Sequence, residues 1–335
     1  MSVQTECRRR GSGRGENMNA KRTPVVCIVG PTAVGKTELS LQVAEHLRTE
    51  IVSADSMQVY RHMDIGTAKL PPHARRGIVH HMLDVAEPWE LFTVHDYARG
   101  ARTAVADMVR RGKTPVVVGG TGLYIRALVD GYDFTGTSRN SALRTELEAE
   151  SIAYGSAGLH DRLSALDPEA AGRIHPNDAR RIIRALEIVL DSGQPVRKNH
   201  RPQDEFAGQI VPVMIGLDVP RTVLYARINK RVDAMMERGL EGEVRGLLAM
   251  GCRSEHTSMQ AIGYKELVSH VRGECSLENA VHMIKQASRR YAKRQLSWFR
   301  ADHRIEWYVL EEDDMMLSSS KLVSLIDDRI DHMGI

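Results

Sequence analysis

The sequence predicts an α/β protein, a P-loop core with a parallel sheet flanked by helices, into which an all-helical domain is inserted. Three observations predict it. Apolar, β-branched runs alternate with helical periodicity through the first 130 residues. The pattern is then purely helical from Ser141 to about Val189, and a strand-like run resumes at Ile210. The first strand also leads directly into GPTAVGKT, Gly30–Thr37.

The elements follow in order. PVVCIVG, Pro24–Gly30, is a continuous apolar run of the kind that suits a strand covered on both faces. A helix over about Lys36–Leu47 puts Leu39, Val43 and Leu47 on one face. EIVSADS is a second short strand ending at Asp55, and a helix over Val94–Arg111 leads to a third, TPVVVGGTG, closed by Gly119 and Gly120. Strand, helix, strand, helix, strand implies a parallel sheet. The helical insertion holds ALRTELEAESIAYGSAGLHDRLSAL and ARRIIRALEIVL, joined by DPEAAGRIHPND. Ser192–Gln203, with two prolines and four cationic or His residues, reads as an exposed loop. IVPVMIGLDV then returns to the sheet, Arg221–Arg300 reads as helical, and RIEWYVL as a last strand. The predicted division is a basic tail without fixed structure (1–22), a first core segment (23–138), the helical insertion (139–205), a second core segment with basic C-terminal helices (206–315) and a C-terminal tail (316–335).

Composition bounds the function classes. Hydrophobic residues make up 42% and charged residues 27%, ordinary for a globular protein of 335 residues. The net charge of +3 leaves nucleic-acid binding to the distribution of the charges. Four cysteines, Cys7, Cys27, Cys252 and Cys275, form no C-x-x-C pair and no metal-ligand spacing, which fits reduced thiols in a cytoplasmic protein. No apolar run reaches membrane-spanning length, and no long heptad appears, so a monomer without membrane contact is expected.

Gly30–Thr37 fits G-x-x-x-x-G-K-[ST] at every fixed position. Glycines let successive backbone N–H groups turn toward one anion, and the following helix N-terminus adds positive potential. Gly30, Pro31, Thr32, Ala33, Val34, Gly35, Lys36 and Thr37 are therefore expected to hold phosphates. Lys36 supplies a mobile charge, and the Thr37 hydroxyl is the candidate Mg²⁺ ligand. A nucleotide hydrolase usually carries a second strand ending in a carboxylate. Here VVVGGTG ends in glycines, and the nearest strand-end acid is Asp55, which could equally be a helix cap. Its neighbours Ser56, Gln58 and Tyr60 offer more polar groups than a cap needs. The cradle thus suits a diphosphate that departs better than a triphosphate cut at its end.

GPTAVGKT, SADSMQVYRHMDIGTAK, HHMLDV, GGTGLY, RRIIRALE, RINKRVDAMMERGLEGEV, MQAIGYKEL and KRQLSWFR occur in that order. Together, from about Pro24 to Arg300, they resemble the tRNA dimethylallyltransferase family, in its shorter form without a C-terminal zinc finger. The resemblance implies transfer of a dimethylallyl group from dimethylallyl diphosphate to the exocyclic amine of an adenine beside the anticodon. It implies that Gly30–Thr37, Mg²⁺ and Arg231 hold the diphosphate, and that Asp55 is the general base, with Thr121 and Lys36 beside it in the chemistry. Asp55, Ser56, Met57, Gln58, Thr121, Arg144 and the stretch Arg180, Arg181, Ile182, Ile183, Arg184 would contact the tRNA anticodon stem-loop. Alternatives stay open: Thr121 as a turn residue, and Arg231 as a surface cation paired with Asp233 or Glu237.

The residues themselves support an RNA partner. Arg180 and Arg184 share a helix face. Val281–Arg300 carries Lys285, Arg289, Arg290, Lys293, Arg294 and Arg300 with no acid, and Lys285, Arg289 and Lys293 form one i, i+4 ladder. Such a run can also be no more than a solvated face. His80 and His81 read as core or supporting residues, and Trp298 and Phe299 as packing. The rivals are a relative that prenylates free AMP or ADP, a small-molecule P-loop kinase, and a non-catalytic RNA-binding nucleotide sensor. The basic helices disfavour the first, and the missing strand-end acid the second.

Overall fold

A computed structural model of the protein describes residues 22–131, 141–196, 210–310 and 315–332. The N-terminal tail up to residue 21, the second half of the loop expected at Ser192–Gln203, and the predicted boundaries near 138 and 205 lie outside these.

The core opens with β1 (Thr23–Val29), then α1 (Lys36–His46), β2 (Ile51–Ser53), β3 (His80–His81), α2 (Val94–Arg110), β4 (Val116–Gly119) and α3 (Gly122–Val129). Thr93 starts α2 with a capping box, its side chain taking the Asp96 N–H while Asp96 takes its own. After the insertion come β5 (Ile210–Asp218) and the helices α8 (Arg221–Glu237), α9 (Leu240–Ala249), α10 (Tyr264–Val271) and α11 (Leu277–Arg300), then β6 (Glu306–Val309) and α12 (Met315–His332). The strand order is β3-β2-β4-β1-β5-β6, every pairing parallel. Val25, Val26, Cys27, Ile28 and Val29 are all fully buried, because helices cover both faces. Pro212 is tolerated in β5 because β6 pairs only with Ile215–Asp218, leaving that side of Pro212 without a ladder to break.

The insertion, α4 (Ser141–Tyr154), α5 (Ser156–Leu166), α6 (Pro168–Arg173) and α7 (Ala179–Ser192), has its own small core of Leu147, Leu159, Leu163, Ile182, Ile183 and Leu186. Asp167 is buried there, capping α6 through the Ala170 N–H at 2.9 Å and taking the Val196 N–H at 2.7 Å.

The structure departs from the sequence expectation at its C-terminal segment. Met315–His332 is a helix rather than a tail: α12 buries Leu322 and Ile326 in the core cluster that α1 shares, and Asp327 meets His46 at 2.7 Å. The stretch expected to be helical, Arg221–Arg300, holds four α-helices, with Gly239, Gly263 and Gly273 at positive φ where they break.

Glu50, entering β2, is the most strongly tied ion in the core. Its carboxylate accepts from Arg111, from Lys113 at 2.6 Å and from His81 at 2.8 Å. This gives His81 a supporting role, while His80 bonds the Ile78 carbonyl. The Arg111 hydrogen bond, with Lys113 and His81 adding to it against burial, holds Glu50 well below the usual carboxylate range. A depressed carboxylate contributes stability above its unfolded pKa and loses it as pH falls. The protein should therefore lose stability steadily below about pH 4.5. Glu50→Gln should cost about 2–3 kcal/mol at neutral pH, less than a fully enclosed pair because the three partners are partly exposed, and should flatten the acid limb of the curve. Denaturant melts of both proteins from pH 3 to 7 check this.

Candidate active site

The carboxyl ends of β1, β2 and β4 come out on one edge of the sheet, where ligands of parallel α/β folds bind. Each is followed by a predicted site segment: Gly30–Thr37 after β1, Asp55–Gln58 after β2 and Thr121 after β4. The glycines that end β4 are there for space. A Cβ on Gly119 would lie 2.1 Å from the Ala54 carbonyl oxygen, so β4 can approach the Asp55 segment only with glycine at that position.

Asp55 faces a cavity of about 310 Å³ together with Thr32, Ser56, Met57, Arg231 and Tyr291. Its Oδ1 accepts the N–H of Met57 at 2.9 Å and of Gln58 at 3.4 Å. The helix-cap alternative fails, because residues 56–59 form a turn and not a helix; Oδ1 closes that turn while the residue lines the cavity. Thr121 is more than a turn residue. Its Oγ1 accepts the Ser56 N–H at 3.0 Å and donates to Ser56 Oγ at 3.3 Å, joining the β4 turn to the Asp55 segment. Gln58 donates to the Thr67 carbonyl at 3.2 Å and accepts from Ser53 at 3.0 Å.

In the cradle, Lys36 Nζ donates to the carbonyls of Gly30 and Pro31 at 2.9 and 2.7 Å. Burial, and then the nearby charge of Arg231, push its pKa down to about 7, with Asp55 opposing. An anion in the cradle supplies the counter-charge that the ammonium lacks. Arg231 is half-buried and lines both the Asp55 cavity and the cradle face that carries Lys36 and Thr37. Burial lowers its pKa while Asp55 raises it. The alternative partner Asp233 pairs with Lys285 at 2.6 Å instead. Thr37 is exposed at the helix start.

The expected RNA contacts divide. Arg180 and Arg181 are exposed on α7. Ile182 and Ile183 are buried in the core of the insertion, so their side chains shape the helix rather than touch a partner. Arg144 and Arg184 both turn to the buried Glu187 carboxylate, at 3.4 and 3.1 Å. In the α11 ladder, Lys285 is bound to Asp233 and Arg289 to Asn229 at 2.7 Å, whereas Arg290, Lys293 and Arg294 are exposed. Arg300 pairs with Asp218 at 2.7 Å.

Sequence reasoning missed Gln295. It lies on α11 and is 5% exposed. Its Oε1 accepts the Thr32 N–H and its Nε2 donates to the Gly120 carbonyl, both at 2.9 Å. One amide thus fastens the phosphate cradle to the β4 turn. A Cβ on Gly120 would stand 2.1 Å from it, and one on Gly122 would meet the Trp298 indole at 2.1 Å. No local pattern in the sequence marks it, since an amide in a cationic helix reads as a surface polar residue until its two partners are known.

The fold and this edge define a P-loop α/β protein with an inserted helical domain and a carboxylate beside the phosphate cradle. The family model for IPP transferase matches residues 58–302, and that for isopentenyl transferase residues 23–77. The chain is 45% identical over 300 residues to tRNA dimethylallyltransferase of Carboxydothermus hydrogenoformans, covering 90% of this chain and 96% of that one. It is 48% identical over 291 residues to tRNA dimethylallyltransferase of Bacillus licheniformis, covering 87% and 92%. The crystal structure of tRNA isopentenylpyrophosphate transferase from Bacillus halodurans superposes with a TM-score of 0.69 at 42% identity, covering 93% of this chain and 98% of that one. A eukaryotic dimethylallyltransferase acting on tRNA superposes with a TM-score of 0.77 at 29% identity, covering 92% and 80%. The chain belongs to the IPP transferase family.

Gln295→Ala would leave the Thr32 N–H and the Gly120 carbonyl without partners in a buried place. It should destabilise the protein by about 1–3 kcal/mol and weaken diphosphate binding. Melting curves and calorimetric titration with magnesium diphosphate measure the two effects.

Proposed function

We propose that this protein transfers a dimethylallyl group from dimethylallyl diphosphate to the exocyclic amine of an adenine beside the anticodon of tRNA, releasing diphosphate. The observation that carries this reading is the position of Arg231, with the phosphate cradle on one side and Asp55 on the other. A donor whose diphosphate sits in Gly30–Thr37 would direct its carbon chain toward the cavity where Asp55 waits, with Ser56 held by Thr121 beside it. That cavity is lined by Ile228, Val232, Met235 and Ile284, an apolar wall suited to a five-carbon chain.

In the transfer, the C–O bond to the diphosphate breaks as the C–N bond to the amine forms. The bonding pair leaves with the diphosphate, and the amine proton passes to Asp55. Lys36, Arg231 and the backbone N–H groups of the cradle stabilise the charge growing on the leaving group. Mg²⁺ fits this donor set, since it is usually held by few protein groups together with substrate phosphates. Thr37 would hold it there, and when bound it neutralises diphosphate charge. Asp55 commits Oδ1 to the turn, so Oδ2 is the oxygen that the reaction uses. Ser56, Met57, Gln58 and Thr121 would hold the base in place, and the base must swing out of the loop to reach them. Among the described residues, Arg180, Arg290, Lys293 and Arg294 are exposed cations available to phosphates, and exposed Arg181 reaches Asp178 at 3.4 Å. No helix among the described residues is long and apolar enough to cross a membrane, and a monomer in the cytoplasm is the expected state.

The test is purified protein with Mg²⁺, dimethylallyl diphosphate and either tRNA or AMP. Prenylated tRNA with unmodified AMP is the expected result. Prenylated AMP, or ATP consumption with a phosphorylated product, would overturn it. Asp55→Ala should lose ~10²–10⁴-fold in turnover while still binding diphosphate, because the cradle is untouched. Near-normal turnover would remove Asp55 from the role of base.

A further inference from the structure

Beside the segment that follows Asp55, one carboxylate gathers four donors. Glu243 on α9 accepts the backbone N–H of Asp64 and Ile65 through Oε2, at 2.8 and 2.7 Å. Through Oε1 it accepts the Gly66 N–H at 3.1 Å and the Tyr264 hydroxyl at 2.6 Å. Three consecutive backbone N–H groups aimed at one anion make a nest, and bonds to an ionised acceptor are stronger than neutral ones. Tyr264 closes the node from the start of α10. A Cβ on Gly66 would come within 2.5 Å of its ring, so the two segments meet only because position 66 is glycine.

The segment held in this way forms a wall of the Asp55 cavity through Gly66 and Thr67, as does Tyr264 itself. Hydrogen bonds run from that wall back to the acid. The Thr67 carbonyl accepts from Gln58 Nε2, and the Gln58 and Met57 N–H groups are the donors on Asp55 Oδ1. A second anchor lies at the far end, where the buried Lys69 ammonium bonds Asp64 at 2.7 Å and Asp84 at 2.6 Å. Ala68 sits between the anchors at φ 48°, and His62 just before them at φ 62°. Non-glycine residues persist there only where their surroundings over-determine the backbone.

We infer that Glu243 is a positioning residue for the transfer reaction: through the Asp64–Gly66 backbone and Tyr264 it fixes the cavity wall that sets Asp55 against the accepting nucleobase. It reaches neither the cradle nor the reacting atoms. The inference rests on reading the Asp55 cavity as the transfer site. An ionised carboxylate is the residue type the node requires, because it alone offers two oxygens that only accept. A glutamine would turn an NH₂ group toward backbone donors.

The experiment compares wild type, Glu243→Gln and Tyr264→Phe in four measurements: melting, affinity for magnesium diphosphate, kcat and KM with tRNA, and amide hydrogen exchange. Glu243→Gln should lose about ten- to hundredfold in kcat, the scale of a small misplacement of reacting groups, with diphosphate affinity unchanged. Tyr264→Phe, which removes one donor of four, should lose less; it carries the kinetic test by itself if Glu243→Gln does not fold. Amides at 55–67 should exchange faster in the variants, and those at 30–37 at the wild-type rate. The inference is overturned if a folded Glu243→Gln keeps kcat within about twofold of wild type, or if kcat and diphosphate affinity fall together with stability. Lack of transfer by the wild type would instead defeat the transfer reading. The exchange pattern would still decide the clamp, and unchanged exchange at 55–58 would sink it.

Discussion

In the parallel register of β2, β4 and β1, Ser53 stands beside Val118 and Gly119 beside Val29. The three strands therefore end within a residue or two of one another, and the segments after them must share one small space. That constraint explains the glycines of GGTG. Gly119 clears the Ala54 carbonyl, and Gly120 and Gly122 admit Gln295 and Trp298 from α11. It also explains why the third strand carries no carboxylate. A side chain at Gly119 would displace the turn that holds Asp55. The acid moves to the neighbouring strand, and its distance from the cradle is spanned by Arg231.

The charges at this edge form a balanced set. Burial depresses both Lys36 and Arg231, the charge of Arg231 depresses Lys36 further, and Asp55 relieves both. An incoming dianion relieves them further, so the cradle is poised for an anion rather than satisfied without one. Lys36 meanwhile bonds two cradle carbonyls, which keeps the loop in shape. The arrangement sets two half-buried cations and one carboxylate beside the loop.

The basic surface is smaller than the number of cations suggests. Glu187, buried in the insertion, gathers Arg144 and Arg184, and α8 takes Lys285 and Arg289 from the α11 ladder through Asp233 and Asn229. Of these cations, Arg180, Arg290, Lys293 and Arg294 face solvent, and Arg181 and Arg300 do so while paired with Asp178 and Asp218. A long helix with cations on several faces has to commit some of them to its neighbours. Only packing shows which.

By itself the sequence determined the features whose cause is local. The phosphate cradle is eight contiguous residues between a strand and a helix. The alternation of apolar runs and helical periods specified a parallel core, and its interruption from Ser141 marked the insertion. Asp55 was legible as a strand-end acid, though not as the acceptor that closes the turn after β2 while lining the cavity. The tertiary structure alone decided what depends on residues far apart in the chain. Gln295 joins Thr32 from 263 positions away, and Glu243 grips Gly66 across 177. Neither belongs to a local pattern, because a buried amide or carboxylate looks like any surface polar residue until its donors are known. The terminal helix was missed for a related reason. Its apolar stripe is short, and it is α12's contact with α1, not its own periodicity, that gives Leu322 and Ile326 something to bury against.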